Sequence, residues 1–256
     1  MLFAVLVVRE VLVPVPLKQR PTRTADIEIV DLPHLAPVYN RPMDSVDSRR
    51  PFQLVGDVHG RLVHRRRVAV LAENLADLIP QSSSLLDIGC GDGTISKLIA
   101  HSVRGLEVTG VEYASRLECA IPCTTFDGAH LPFPDKSFDG CMFVDVLHHT
   151  LDPLSILQDA VRVARKFVLI KDHLAENVFD HWTLRLMDWV GNRPHGVVLP
   201  YAYLSQKQWD QLYRDAGLAV IKSKATIPLY PPPFSLVFGR NLHFISLLSV
   251  SPGGTS

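Results

Sequence analysis

Little in this 256-residue sequence is in excess, and several absences narrow its function. Its 26 lysines and arginines match its 26 aspartates and glutamates, so the basic surplus that marks a dedicated nucleic-acid binder is missing. Cys90, Cys119, Cys123 and Cys141 form no CxxC pair and no framework of the kind that staples small secreted domains. Cys119 and Cys123 would supply at most half a zinc site, and the reading adopted is free thiols in a reducing compartment. The 11 histidines include no HExxH and no His/Cys cluster at ligand spacing. Adjacent His148 and His149 cannot readily share one ion, so no metal is expected.

A long hydrophobic run is also lacking. The opening MLFAVLVVREVLVPVP is apolar, but Arg9 and Glu10 interrupt it, no basic stretch precedes it and no small-residue cleavage site follows. It is too short to span a membrane and reads as a peripheral strand or an extension. A cytoplasmic protein with no membrane span is the expectation. No internal repeat is found.

What is present is core material in an alternating pattern. Apolar residues make up 47% of the chain, enough for one large domain. Residues 1–55, rich in proline and arginine, read as an irregular arm, and residues 56–256 as the domain. Leu62, Val68, Leu71, Leu75, Leu78 and Ile79 recur at helical spacing before Pro80, with Arg65, Arg66 and Arg67 taken as a solvated face. From Leu85 strands and helices alternate. SLLDI, LEVTGVE, a short strand near 121–126, FDGCMFVDV and KFVLIK are the strands; 94–101 and 153–164 are helices. This rhythm predicts an α/β fold with a mainly parallel sheet covered on both faces. After Lys171 it breaks. Residues 174–203 read as a lid-like insertion, Ser205 and Gln208 as a capping box opening a helix, and 218–227 and 234–248 as two final strands joined across Pro231, Pro232 and Pro233.

The chemistry concentrates at LLDIGCGDG, residues 85–93. An apolar strand runs into a turn with glycines at 89, 91 and 93, which allow a sharp turn and the close approach of a ligand to backbone. The helix that follows offers N–H groups suited to an anion. The spacing is GxGxG, which departs from the GxGxxG dinucleotide fingerprint and counts against a nicotinamide dehydrogenase. Glu112 ends the second strand ~20 residues on, where an acid grips ribose hydroxyls. Asp127 ends the proposed third strand, where a carboxylate can accept from an adenine amino group. Glycines, acid and acid on three successive strand ends form a combined signal that no one of them carries alone.

These residues resemble the class I S-adenosylmethionine methyltransferases, and within them the small-molecule branch that includes quinone-biosynthesis and natural-product enzymes. LLDIGCGDG, VEY at 111–113, the segment 126–149 and RVARKFVLIKDH at 162–173 carry the likeness, over roughly residues 60–175. The resemblance implies a Rossmann-like, seven-stranded, mostly parallel sheet with helices on both faces and S-adenosyl-L-methionine as cofactor. It implies that Asp87 and the turn at Gly89, Cys90 and Gly91 hold the methionine part. Glu112 would hold the ribose with Tyr113 beside it, Asp127 and Gly128 would address adenine, and Val144, Asp145 and Val146 would lie near the methyl group. Relatives often carry two glycines before the fifth strand; here Arg165 and Lys166 run straight through.

A methyl donor that arrives as a sulfonium leaves the protein mainly to align the acceptor, with a base needed only if a proton must leave. His148 and His149 after the fourth strand and His173 after the fifth are the candidate bases, with Asp172 placed to orient His173. The alternative for each is a packed or capping histidine. His181 and Tyr201 lie in the insertion, where Arg193 and His195 in GNRPHG are the better contact candidates, while Trp182 and Trp189 are expected to pack onto the sheet. The reading is methyl transfer to oxygen, carbon or nitrogen of a small molecule, oxygen or carbon by family habit, without nucleic acid. The rivals are an RNA or protein methyltransferase, favoured by the arginines at 49, 50, 61, 65, 66 and 67, and a non-catalytic cofactor-binding regulator.

Overall fold

The computed structural model describes residues 65–81, 83–113, 118–192, 201–230 and 240–250, without the side chains of 190–192. All of them belong to one compact unit, Arg49–Ser256. The expected arm, the loop carrying Arg193 and His195, and the proline cluster lie outside the described residues.

Helix α1 is described over residues 65–76. It tightens at its end, where the Leu78 amide reaches back three residues to the Leu75 carbonyl at 3.0 Å. Strand β1 (Ser84–Ile88) then leads through the glycine turn into α2 (Thr94–Ser102), and β2 (Glu107–Glu112) and β3 (Cys123–Thr125) follow. Strand β4 (Phe138–Val144) ends in a short 3₁₀ turn, Leu147–His149. Helix α3 (Pro153–Val163) starts with proline where its missing N–H costs nothing, and the Asp152 carboxylate caps the Ser155 amide at 3.1 Å. Strand β5 (Ala164–His173) follows without a loop, which agrees with the missing glycines before it. Helices α4 (Val178–Asn192) and α5 (Gln206–Asp215) precede β6 (Leu218–Lys224) and β7 (His243–Val250). The Ser205–Gln208 capping box forms as expected. Both last strands are shorter than predicted, and β7 begins later.

The seven strands order as β3-β2-β1-β4-β5-β7-β6. Pairings from β3 through β5 are parallel, and β7 runs antiparallel to both its neighbours. Alternation along each strand divides the core between the two faces. Leu86, Ile88, Cys141, Phe143, Val168 and Ile170 pack under α3 and α5. Leu85, Met142, Phe167 and Leu169 pack under α1 and α2. The chain leaves β1 toward β2 on one side and returns as β4 on the other. Strand order therefore reverses between β1 and β4, and a crevice opens at their carboxyl ends, where open α/β sheets take ligands. Among the described residues no helix is long and apolar enough to cross a membrane.

Candidate active site

The turns after β1 and β4 meet at this crevice. Gly89 has φ +73°, and a Cβ there would fall 2.7 Å from a Val146 methyl, so only glycine lets the two turns close on each other. Gly91 has φ +59°, and a Cβ there would meet nothing within 4 Å; the backbone at this point faces open space. The Gly91 amide donates to Glu112 Oε2 at 2.7 Å, and Glu112 Oε1 accepts the Tyr113 amide at 3.1 Å. The ends of β1 and β2 are thus tied by one carboxylate beside an open backbone.

Asp87, the last polar residue of β1, is buried. Its Oδ2 accepts from Ser96 of α2 at 2.5 Å, and its Oδ1 has no partner. Burial, the largest influence, raises its pKa to about 7, Ser96 opposes this, and the Glu112 charge adds to it. A buried carboxylate with one oxygen unmatched is a receptor for a cation or an N–H donor. The α2 N-terminus is less available than expected, since Asp92 Oδ1 already accepts the Thr94 amide at 3.0 Å. Asp127 is exposed two residues past β3 and accepts the amides of Ala129 and His130 at 2.8 and 2.7 Å, which hold its pKa down. Tyr113 is exposed and lies over Gly128, where a Cβ would fall 3.0 Å from its ring. Cys90 does not stand alone. Its sulfur lies 3.4 Å from that of Cys123, and Cys119 is close enough for the three sulfurs to share a ligand. Val144 is half-buried against the α1–α2 core.

Across the crevice, past β4, the structure gathers a buried charged cluster. Asp145 sits at φ +57°, a strained conformation for a non-glycine residue. Its carboxylate receives Arg67 Nη2 at 2.6 Å and a short contact from Lys171 Nζ. The expectation that Arg65, Arg66 and Arg67 are all solvated holds for the first two and is corrected for Arg67, which turns inward to this carboxylate. Lys171 is fully buried. Burial lowers its pKa against the pull of Asp145, while Lys171 and Arg67 outweigh burial at Asp145 and hold that acid well below its usual range.

The three candidate bases prove unequal. His148 is buried, its Nδ1 2.6 Å from Asp172 Oδ1 and its Nε2 3.4 Å from Asp188 Oδ2. Burial opposes its charge, but Asp172 and then Asp188 prevail and raise its pKa to about 10. Asp172 therefore orients His148, whereas His173 takes only a backbone bond from it, His173 N–H to Asp172 Oδ1 at 2.7 Å. His173 is buried, and burial followed by the charges of His148 and Lys171 presses its pKa well down. His149 is partly exposed, its Nδ1 has no partner, and burial and the neighbouring His148 lower its pKa.

Lys171, Asp188, Tyr203 and His243 also belong to this cluster, and none of them was singled out from the sequence. Tyr203 donates to Asp188 Oδ2 at 2.5 Å, and His243 pairs opposite His173 across β5 and β7. The i, i+2 alternation in KFVLIKDH does place Lys171 and His173 on one face. Helix α4 corrects a further expectation. Trp182 and Trp189 do not pack onto the sheet; they are 68% and 47% exposed, and α4 is held by Asp188 and Leu184 instead. Tyr201 stacks under the Arg185 guanidinium at 4.6 Å, and His181 lies 6.0 Å from the Tyr203 ring.

Residues 62–223 match the methyltransferase-domain family. The chain belongs to that family. It is 30% identical over 110 residues to a 27-O-demethylrifamycin SV methyltransferase of Amycolatopsis mediterranei, covering 37% of this chain and 40% of that protein. It is 28% identical over 138 residues to a demethylmenaquinone methyltransferase of Tropheryma whipplei, covering 50% and 53%. The chain thus spans about two fifths to half the length of these curated relatives. A solved S-adenosylmethionine-dependent methyltransferase from Thermotoga maritima shares the fold with a TM-score of 0.53 at 19% identity, over 77% of this chain and 97% of that one.

Proposed function

We propose that this protein transfers the methyl group of S-adenosylmethionine to oxygen or carbon of a small molecule, releasing S-adenosylhomocysteine. The observation that carries the reading is the cradle of Asp87, Gly91 and Glu112 at the β1–β4 switch point. It pairs a buried unmatched carboxylate oxygen with open glycine backbone and a strand-end acid. These residues fit the cofactor. Asp87 Oδ1 would face its ammonium, Glu112 its ribose hydroxyls, Asp127 its adenine, with Tyr113 and Gly128 alongside. When bound, the cofactor supplies an activated methyl group on a sulfonium.

The protein's own part is alignment and proton handling. Val144 and the Asp145–Val146 turn lie beside the Gly89 turn and would border the methyl position. His149, partly exposed and kept neutral by its surroundings, is the group best placed to accept a proton from the acceptor, because His148 and His173 are sealed inside. The rifamycin and menaquinone precursors named for two relatives support a small acceptor. The test has two stages. Calorimetry should show S-adenosylhomocysteine binding that Glu112→Ala and Asp87→Asn weaken. Labelled methyl transfer into a panel of phenolic and quinol acceptors should then appear in the wild type and fall in His149→Ala. Absence of cofactor binding by the folded protein overturns the whole reading; binding without transfer to any small acceptor overturns the substrate class.

A further inference from the structure

The His148–His173–Asp188 cluster contains more converging polar atoms than its hydrogen bonds explain. His148 Nε2 is 3.4 Å from Asp188 Oδ2, and His173 Nε2 is 3.8 Å from Asp188 Oδ1 and 3.5 Å from Asp145 Oδ1. All three separations exceed the usual 2.7–3.2 Å of an N–H···O bond, and His148 Nε2 has no hydrogen-bond partner although its side chain is only 1% exposed. Two ligand atoms each about 2.0–2.1 Å from one tetrahedral ion lie roughly 3.4 Å apart. The 3.4 Å between His148 Nε2 and Asp188 is therefore too wide for direct bonding and matches two ligands of one centre, and ligand atoms of His148, His173 and Asp188 all lie within 4.8 Å of one another. We infer that His148, His173 and Asp188 bind a divalent transition-metal ion of the zinc or cobalt type.

The surroundings support an ion. Asp172 holds His148 Nδ1 at 2.6 Å, the carboxylate–histidine arrangement that fixes which nitrogen faces a metal. Tyr203 fixes Asp188 through Oδ2. With Nδ1–H given to Asp172, a neutral His148 would turn a lone pair toward the Asp188 carboxylate, an arrangement that needs a cation between the two. A proton on His148 relieves that contact but leaves His173 Nε2 3.5 and 3.8 Å from two carboxylates. Sequence spacing hides the site because its ligands come from the turn after β4, the end of β5 and the middle of α4. The expectation of no metal rested on the absence of HExxH and of His/Cys ligand spacing and on the adjacency of His148 and His149, none of which bears on ligands drawn from three separate elements. The inference does not depend on which acceptor is methylated.

The three sulfurs of Cys90, Cys119 and Cys123 form a second group able to hold a metal, so the test must separate the two. The full chain is stripped with a chelator, then titrated with zinc by calorimetry and with cobalt by visible absorption. One equivalent of cobalt should bind with the spectrum of nitrogen and oxygen ligands and no thiolate charge-transfer band, and Cys119→Ser combined with Cys123→Ser should leave it. Asp188→Asn and His173→Gln should each weaken zinc by tenfold or more while S-adenosylhomocysteine binding and the far-ultraviolet spectrum show an intact fold. Should no ion bind, or should binding vanish with the cysteines and survive Asp188→Asn, the inference is wrong. Unchanged S-adenosylhomocysteine binding in that case leaves the methyltransferase reading standing.

Discussion

The Glu112 carboxylate reaches back to the Gly91 amide at 2.7 Å, joining two strand ends that are 21 residues apart in sequence. Ribose hydroxyls approaching this edge would compete with the Gly91 amide for the same oxygens. A hydrogen bond to a charged group contributes about 1.5–3 kcal/mol. Glu112→Ala should therefore weaken S-adenosylhomocysteine roughly 10- to 100-fold by calorimetry, and Glu112→Gln by less, with the melting temperature little changed. Equal binding by the alanine variant would remove Glu112 from the site.

Asp87 should make cofactor binding depend on pH. Its pKa is raised to about 7 by burial, while a ligand ammonium requires the ionised form. Affinity should fall as pH drops below about 7, approaching tenfold per unit, and level off above. Stability of the unliganded protein should move the other way. A carboxyl whose folded pKa lies above its unfolded value contributes stability at low pH that is lost as pH rises through about 7. Calorimetric affinity from pH 5.5 to 8.5, repeated on Asp87→Asn, checks both arms. A flat profile in the wild type would show that Asp87 does not face the ammonium.

The half of this site where we propose that the cofactor binds was legible because it is local. Gly89, Gly91, Glu112 and Asp127 each lie at or just past a strand end, and alternating βαβ units bring successive strand ends to one edge of a sheet. The other half was not. Arg67, Lys171, Asp188 and His243 come from α1, β5, α4 and β7, and nothing in their spacing says that they meet. Arg67 looked like part of a solvated basic run, because a charge run is read by composition while its third member is recruited by a single buried acid, Asp145. Trp182 and Trp189 failed for the opposite reason. Their hydrophobicity predicted burial, but α4 rotates its Asp188 face inward to meet His148, which turns both indoles out.

Gly140 should tolerate no side chain. It stands opposite Phe167 in the β4–β5 pairing, and a Cβ there would lie 2.3 Å from that ring. The ring belongs to the α1–α2 core and is itself buried, so it has little room to yield. Overpacking of this kind costs about 1–3 kcal/mol. Gly140→Ala should lower the melting temperature by roughly 2–12 °C on the usual scaling for a domain of this size. Gly140→Ala combined with Phe167→Leu should recover part of the loss, and no change in the single variant would show that the ring moves freely.

Trp209 should report how firmly the β5 end is held. It is buried on the opposite face of the sheet, packed on Phe244 and Tyr213, and its Nε1 donates to the His173 carbonyl at 3.0 Å. Trp209→Phe keeps most of the packing but strands that carbonyl, a cost of about 1–3 kcal/mol. Trp209→Ala adds a cavity, about 3–5 kcal/mol in all. The bond to His173 separates two consequences. In denaturant titrations both variants should lose stability in that order. S-adenosylhomocysteine binding, built on β1 and β2, should persist in Trp209→Phe at low temperature, while methyl transfer should fall because the β5 end that carries His173 has lost its anchor. Equal loss of binding and transfer in Trp209→Phe would mean that the two halves of the site do not move independently.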